Sequence, residues 1–254
     1  MSESPSRRAK IVSALAVTAL LVGFVWLSIV RAGVQIDLAS VWEYRTRLWS
    51  GFVMTIALSA GALVFSLLIG VATAAARRSR VLVLRYLATA YVEAIRGTPL
   101  LVQIYFFYYL VGTAWGLDNR YLAGVVILSI FEGAYVAEII RGAWQSIDRQ
   151  TFEVARALGL DPVKTFRLVT FPILQSRALP ALAGQSASII KDSSLLSVIA
   201  VIELTQATQE ISAENFQMFA NYLLLGALYF ALVFPVSVAS RALERRVARA
   251  FGTE

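Results

Sequence analysis

The sequence contains no cysteine and no histidine among its 254 residues. Without cysteine, the chain can form neither a disulfide nor a thiolate site. Without histidine, it lacks the commonest metal ligand and the commonest general base. It also lacks the Gly-x-x-x-x-Gly-Lys-Ser/Thr loop that binds ATP and the Gly-x-Ser-x-Gly elbow of serine hydrolases. We therefore predict no catalytic, cofactor-binding or metal-binding residues, and no enzymatic activity.

Acidic residues are outnumbered by basic ones, 16 against 23, which gives a formal charge of +7. The basic residues, 20 of them arginine, lie between apolar runs rather than in one block. This spacing favours a membrane protein whose loops carry more basic residues on one side of the bilayer than on the other. It does not favour a surface that binds nucleic acid. Hydrophobic residues make up 58% of the chain, and runs of about 20 such residues are typical of membrane spans. We expect an all-α integral membrane protein surrounded by lipid, with no nucleic-acid partner.

The apolar runs predict about six transmembrane helices. The first run is longer than the apolar core of a cleaved signal peptide, so we expect an uncleaved anchor. The third is too long for one straight span, and Gly97 and Pro99 predict a break after a helix over 82–95. The six segments lie near residues 11–30, 51–76, 82–112, 121–144, 179–202 and 219–240.

Basic residues in the loops predict the orientation of the chain. With the N-terminus inside, the inner side receives 17 lysines and arginines and the outer side four. The positive-inside rule then places both termini in the cytoplasm, together with the loop between spans 4 and 5. The chain divides into a cytoplasmic tail, extra helix and outer loop (1–45), a transmembrane domain (46–245) that includes a cytoplasmic loop (148–178), and a cytoplasmic C-terminal tail (246–254).

The 148–178 segment is charged and helix-forming, although it interrupts an apolar chain. A first short helix is predicted to stop at Gly159. Asp161 followed by Pro162 provides an N-cap and a first-turn proline for a second helix, which Pro172 is predicted to end. Two interpretations are open on physical grounds. The helix pair lies on anionic headgroups, or its apolar ridge docks into a groove of a soluble partner.

Residues within this segment resemble the Glu-Ala-Ala loop of ABC importer permeases. Glu153-Val154-Ala155 is followed after three residues by Gly159, and after nine more by Val169-x-Phe171-Pro172. The departures from the family pattern are all apolar, namely Val154, Val169 and Phe171. The stretches "VEAIRGTPLLVQIYFFYYL", "GAYVAEIIRGAWQSI" and "SIIKDSSLLSVIAVIELT" are similar to the histidine/glutamine-type permeases, which import polar amino acids and related solutes. That family usually has Gly-Gln where this chain has Arg149-Gln150, and many shorter members lack the first 45 residues.

The resemblance implies a division of labour in a bacterial cytoplasmic (inner) membrane. This chain would be one of two permease subunits, in a homodimer or a heterodimer. Two ATPase subunits would bind ATP and Mg beneath it, and an extracytoplasmic solute-binding protein would deliver substrate. The type I importer architecture would use the loop between spans 4 and 5 to transmit ATPase closure. The residues implied for that coupling are Glu153, Ala155, Gly159, Asp161, Pro162, Phe166 and Pro172.

Charged and polar residues also occur at membrane depth. A charge at the bilayer centre costs about 2.5–3.5 kcal/mol, so none of these side chains should face lipid. Glu138 and Arg141 are spaced to pair, whereas Glu132 has no local basic partner. In span 5, polar residues recur on one helical stripe, which either lines a buried subunit interface or forms a translocation pathway. The pathway candidates are Glu132, Gln185, Ser188, Lys191 and Asp192.

Two other functions would also use polar residues at membrane depth. An ATP-independent secondary transporter could also use charged residues at membrane depth, but we find no repeat between the halves of the chain. A scaffold subunit would explain a polar interface stripe, but not a loop of the ATPase-coupling type. We therefore predict the permease subunit of an ABC importer for a polar amino acid or related small solute.

Overall fold

The computed structural model describes residues 6–31, 33 and 42–251. Within these ranges the chain is helical and contains no β-strand. The predictions made for residues 1–5, 32, 34–41 and 252–254 lie outside the described residues. In chain order the helices are α1 (Arg7–Arg31), α2 (Arg45–Ala76), α3 (Leu82–Arg96), α4 (Leu100–Tyr105), α5 (Arg120–Gln145), α6 (Arg149–Ala157), α7 (Pro162–Thr165), α8 (Phe171–Asp192), α9 (Leu204–Asn215) and α10 (Met218–Phe251).

Four described helices are long and apolar enough to cross a membrane, namely α1, α2, α5 and α10. A fifth span results if α3 is joined to α4 and the π-helical turn that follows it, Phe106–Gly112. These two parts meet at an angle of 112°. The predicted break is confirmed, because α3 ends at Arg96 and Pro99 precedes α4. Proline lacks the amide hydrogen that a continuous helix would need there.

The predicted segment 179–202 is not one continuous α-helix. Helix α8 ends at Asp192, a 3₁₀ segment continues to Ile199, and Ala200 is left-handed with φ 56°. In the 3₁₀ region the hydroxyl groups of Ser193 and Ser197 donate to carbonyls three residues earlier, each at 2.8 Å. Such local bonds favour the tighter turn over the α-helix. Lys191 and Asp192, the two charged residues of this segment, therefore lie where the α-helix ends and the 3₁₀ segment begins.

Helices α2 and α5 form the centre of the bundle, with α8 packed against α5 and α10 packed against α8. Two glycines allow the central pair to approach closely. A Cβ added at Gly70 would lie 2.5 Å from Val136 Cβ, and one added at Gly133 would lie 2.7 Å from Ile69 Cγ2. Small residues at such crossings bring backbones together in membranes, where packing rather than water exclusion drives helix association.

Replacing Gly70 with alanine is expected to destabilise the bundle by about 1–3 kcal/mol, because the added methyl group overpacks the stiff Val136 side chain. Thermal unfolding of the detergent-purified chain should therefore shift to a lower temperature. Gly226→Ala in α10 is the matched control, since a Cβ there meets nothing within 4 Å. An equal shift in both variants would refute the close-packing explanation.

Helix α1 stands apart from this bundle. Its described side chains are exposed apart from the half-buried Ile29, and it makes no extensive contact with another described element. Exposed residues such as Phe24 and Trp26 are large and apolar. In a membrane, that surface is compatible with surrounding lipid, which makes α1 an accessory to the bundle rather than part of its core.

Candidate functional site

The 148–178 segment forms the predicted helix, turn and second helix at the end of α5. Asp148 caps α6 by accepting the Gln150 amide at 3.1 Å. The first helix, α6, ends at Ala157, and Gly159 follows its C-cap residue with φ +74°. The Gly159 amide donates to the Arg156 carbonyl (2.9 Å) and the Leu160 amide to the Ala155 carbonyl (3.1 Å). These two bonds form a Schellman motif, in which glycine satisfies the left-handed position.

The second helix begins as the sequence predicts. The Asp161 carboxylate accepts the amides of Lys164 (2.9 Å) and Val163 (3.0 Å), and Pro162 occupies the first turn. The hydrogen bond from the Lys164 amide is the main reason why the pKa of Asp161 lies below its ordinary value. Asp161 is therefore ionised throughout the neutral range, and its negative charge favours the start of the helix.

The prediction that Pro172 ends this second helix is wrong. A π-helical turn, Phe166–Thr170, follows Thr165, and α8 continues directly from Phe171 to Asp192. Pro172 falls in the first turn of α8, where a missing amide hydrogen breaks no bond within that helix. The wider turn before it absorbs the change in hydrogen-bond register. The second helix is consequently continuous with the membrane helix behind it.

An apolar ridge on this segment is exposed. The exposed fractions are 58% for Val154, 72% for Leu158 and 75% for Val163, whereas Ala155 is buried at 2%. Glu153 is also exposed, so both the acidic residue and the ridge face away from the bundle. Exposed apolar surface of this kind marks a contact site for another molecule.

The segment is nevertheless fixed to the bundle behind it. The Arg177 guanidinium of α8 donates to the carbonyl and to the hydroxyl group of Ser146, the latter at 2.8 Å. The Phe166 ring stacks on Trp144 of α5 with 6.2 Å between centroids. Because α5 and α8 hold the two ends of the segment, a force on the ridge reaches both helices.

A second group of predicted residues meets inside the bundle, around Glu132 of α5. Its side chain is 0% exposed, and the Gln185 amide of α8 donates to its Oε2 at 2.5 Å. The Asp192 carboxyl group lies next to it. The Oε1 atom of Glu132 is buried and has no hydrogen-bond partner among the described residues. An acceptor of this kind is costly unless something else binds it.

The other two pathway candidates are arranged differently. Ser188 is half-buried, and Lys191 is exposed although it adjoins Asp192 in the chain. The structure thus brings Glu132, Gln185 and Asp192 together, while the Lys191 side chain lies at the surface of the single chain. An exposed charge at this depth should face water or another subunit, because lipid would not solvate it.

Glu138 forms the centre of an ion-pair network at the end of α5. The expected pair with Arg141 is present, and Arg77, which caps the end of α2 (2.9 Å), and Arg96 of α3 (3.6 Å) also reach the same carboxylate. One acidic group thus joins three helices to one another. We refer to this end of the bundle, together with the 148–178 segment, as the basic end.

The burial of Glu203 is not predicted from the sequence. Glu203 belongs to a predicted outer loop, yet it is fully buried and caps α9 by accepting the amides of Thr205 (2.8 Å) and Gln206 (2.9 Å). It also accepts the Tyr229 hydroxyl at 2.8 Å. The position of an acidic residue just before a helical stretch could have indicated the cap, but not the tyrosine from α10.

Comparison with known proteins identifies relatives over most of the chain. Residues 66–249 match the family described as binding-protein-dependent transport system inner membrane component. The chain is 38% identical to the glutamine transport system permease protein GlnP of Escherichia coli, over 84% of this chain and 98% of that protein. It is 35% identical to the L-cystine transport system permease protein TcyB of Bacillus subtilis, over 78% of this chain and 86% of that protein.

Solved structures agree with the sequence relatives. A crystal structure of an amino acid ABC transporter with histidines superimposes with a TM-score of 0.79 at 33% identity, over 84% of this chain and 99% of the other. The MetNI methionine ABC transporter, in an inward-facing conformation, shares the fold with a TM-score of 0.60 at 20% identity. The prediction made from the 153–172 motif and from the three similar stretches is confirmed: this chain belongs to the binding-protein-dependent transport system inner membrane component family, as an ABC importer permease of the histidine/glutamine type.

Proposed function

We propose that the chain imports a polar amino acid or a related small solute across a bacterial inner membrane. The substrate class follows the relatives, which are named as permeases for glutamine and cystine. Two ATPase subunits bind the basic end from the cytoplasm and supply the energy, since this chain has no P-loop of its own. An extracytoplasmic binding protein delivers the solute to the opposite end.

The exposed apolar ridge of the 148–178 segment carries this proposal. A ridge of this kind fits an apolar groove on a soluble partner, in the manner of an amphipathic helix on its receptor. Its attachment through Trp144 and Arg177 means that movement of the partner displaces α5 and α8 together. These are the two helices that bear Glu132 and Gln185. ATPase closure therefore acts on the proposed pathway through α5 and α8.

The pathway itself is proposed to pass between α8 and a second permease subunit. Lys191 is exposed in the single chain although it lies at membrane depth, so a facing subunit or a water-filled passage should cover it. The buried carboxyl group of Glu132 and the half-buried one of Asp192, next to Lys191 in the chain, suit the ammonium group of an amino acid. Their neighbour Gln185 orients Glu132 by its hydrogen bond.

Reconstitution tests the energy source. The permease would be placed in lipid vesicles with the ATPase and the binding protein proposed as its partners, and uptake of labelled glutamine and other polar amino acids would be followed. We expect uptake only with ATP and with both partners present. Uptake by the permease alone, driven by an ion gradient without ATP, would instead establish the secondary transporter.

A further inference from the structure

A cavity of about 640 Å³ opens between the inner ends of α2, α3 and α5 and the start of α8. Four arginines line it, and none of its lining residues is acidic. Three aromatic residues and several aliphatic ones complete the wall. The basic and aromatic lining residues are Arg77, Arg78, Arg85, Arg141, Tyr86, Trp144 and Phe166.

The charges in this cavity are not balanced by the described residues. Glu138 pairs with Arg77 and Arg141, but no described carboxylate forms an ion pair with Arg78 or Arg85. The Arg78 guanidinium instead lies over the Trp144 ring, 3.6 Å from its centroid. Partial burial lowers the pKa of Arg78, which indicates that its charge is poorly solvated. Such an environment favours an anionic ligand.

An apolar surface leads from the cavity along α2. Val64, Leu68 and Val71 recur at i, i+4 and i+7, so they lie on one face of the helix. All three are exposed, and Val71 is also part of the cavity wall. On the other side, Val83 and Tyr86 of α3 are exposed as well. The cavity is therefore a basic pocket with an apolar surface that extends toward the interior of the membrane.

We propose that this pocket binds the phosphate of an anionic phospholipid, with Arg78 and Arg85 as its ligands and the acyl chains along the Val64–Val71 face. Basic pockets between membrane helices on the cytoplasmic side suit such headgroups. The proposal goes beyond the import function and rests only on its orientation, in which the basic end faces the cytoplasm. Phe166 of the 148–178 segment forms part of the same wall, so a bound lipid supports the base of the segment that meets the ATPase.

Native mass spectrometry of the detergent-purified chain tests this directly, without the ATPase. Dioleoyl phosphatidylglycerol and dioleoyl phosphatidylcholine would be titrated as probes against the wild type and R78Q/R85Q. We expect the wild type to retain phosphatidylglycerol in preference to phosphatidylcholine. The double variant should bind phosphatidylglycerol about thirty-fold more weakly, the factor expected for two basic contacts with an anionic headgroup.

The matched control is R241Q/R246Q, which removes two exposed arginines of α10 at the same end of the bundle but outside the cavity. It should bind phosphatidylglycerol within about twofold of the wild type. If removing the contact between Arg78 and the Trp144 ring unfolds the chain, R85Q is tested alone. It should bind phosphatidylglycerol about fivefold more weakly than the wild type.

Three results would overturn the proposal. Unchanged phosphatidylglycerol binding in R85Q and in the double variant would exclude the pocket as the site of lipid binding. Equal retention of the two lipids would exclude recognition of the headgroup charge. Displacement of the lipid by equimolar inorganic phosphate would show that the site takes free phosphate, and that the apolar face contributes nothing.

Discussion

Replacing Gly159 with aspartate is expected to lower ATP-driven uptake by at least about a hundredfold, while the protein still inserts and folds. The substitution places a negative charge between Leu158 and Val163, the two most exposed residues of the apolar ridge on the 148–178 segment. An unpaired charge buried in a docking contact costs about 3–5 kcal/mol, which is more than two powers of ten in affinity. Co-purification with the ATPase and uptake in vesicles would measure both consequences.

Any side chain added at Gly159 also strains the backbone, so a control must separate this strain from the effect of the negative charge. The φ of +74° at Gly159 is strained for other residues, at a cost of about 1–3 kcal/mol. Gly159→Asn has nearly the same shape as the aspartate, tolerates this conformation and carries no charge. We expect it to lose less than about tenfold. Uptake by G159D near the wild-type level would contradict the coupling role of the segment.

A second control separates backbone strain from location. Gly116 has a similar φ, +66°, and like Gly159 it has open space where a Cβ would be added. It lies in the connection before α5, at the opposite end from the 148–178 segment. Gly116→Asp should therefore leave ATPase binding unchanged. If G116D and G159D lost ATPase binding equally, the cause would be general misfolding rather than a disrupted docking surface.

Much of the basic end could be predicted because its signals are local. A helix stop at Gly159, an N-cap at Asp161 and a break at Pro99 each depend on the conformational limits of one or two residues. The error at Pro172 has the same origin. A proline is tolerated in the first turn of a helix, and the sequence gives no sign of the π-helical turn that lets α8 begin just before Pro172.

The interior could be predicted only as a set of candidates, because its contacts join distant parts of the chain. Sequence position indicates that Glu132 needs a partner, but not that this partner is Gln185, 53 residues further on. The same holds for Arg77, which lies 61 residues before Glu138. Helical periodicity gives the face of each helix, whereas the depth and rotation of two packed helices depend on close approaches such as Gly70 on Val136.

Replacing Glu132 with glutamine is expected to reduce uptake at least tenfold without lowering the stability of the chain. The amide retains an oxygen that can accept the Gln185 hydrogen bond, and its nitrogen can donate toward Asp192. It also removes a carboxylate with one unpartnered oxygen, so folding loses nothing. What is lost is the carboxyl group that we assign to the substrate ammonium group. Uptake assays and thermal unfolding on the same preparation separate the two effects.

Glu203→Gln provides the opposite case, since Glu203 is equally buried but fully hydrogen-bonded. Two backbone amides and the Tyr229 hydroxyl donate to its two oxygens, and a glutamine has only one oxygen to offer them. We expect a loss of about 1–3 kcal/mol of stability, with uptake per folded molecule preserved. If E132Q were destabilised like E203Q and transported normally once folded, Glu132 would be a structural residue and the pathway would lie elsewhere. If E132Q alone lost transport, the unpartnered oxygen would mark the place where the solute passes.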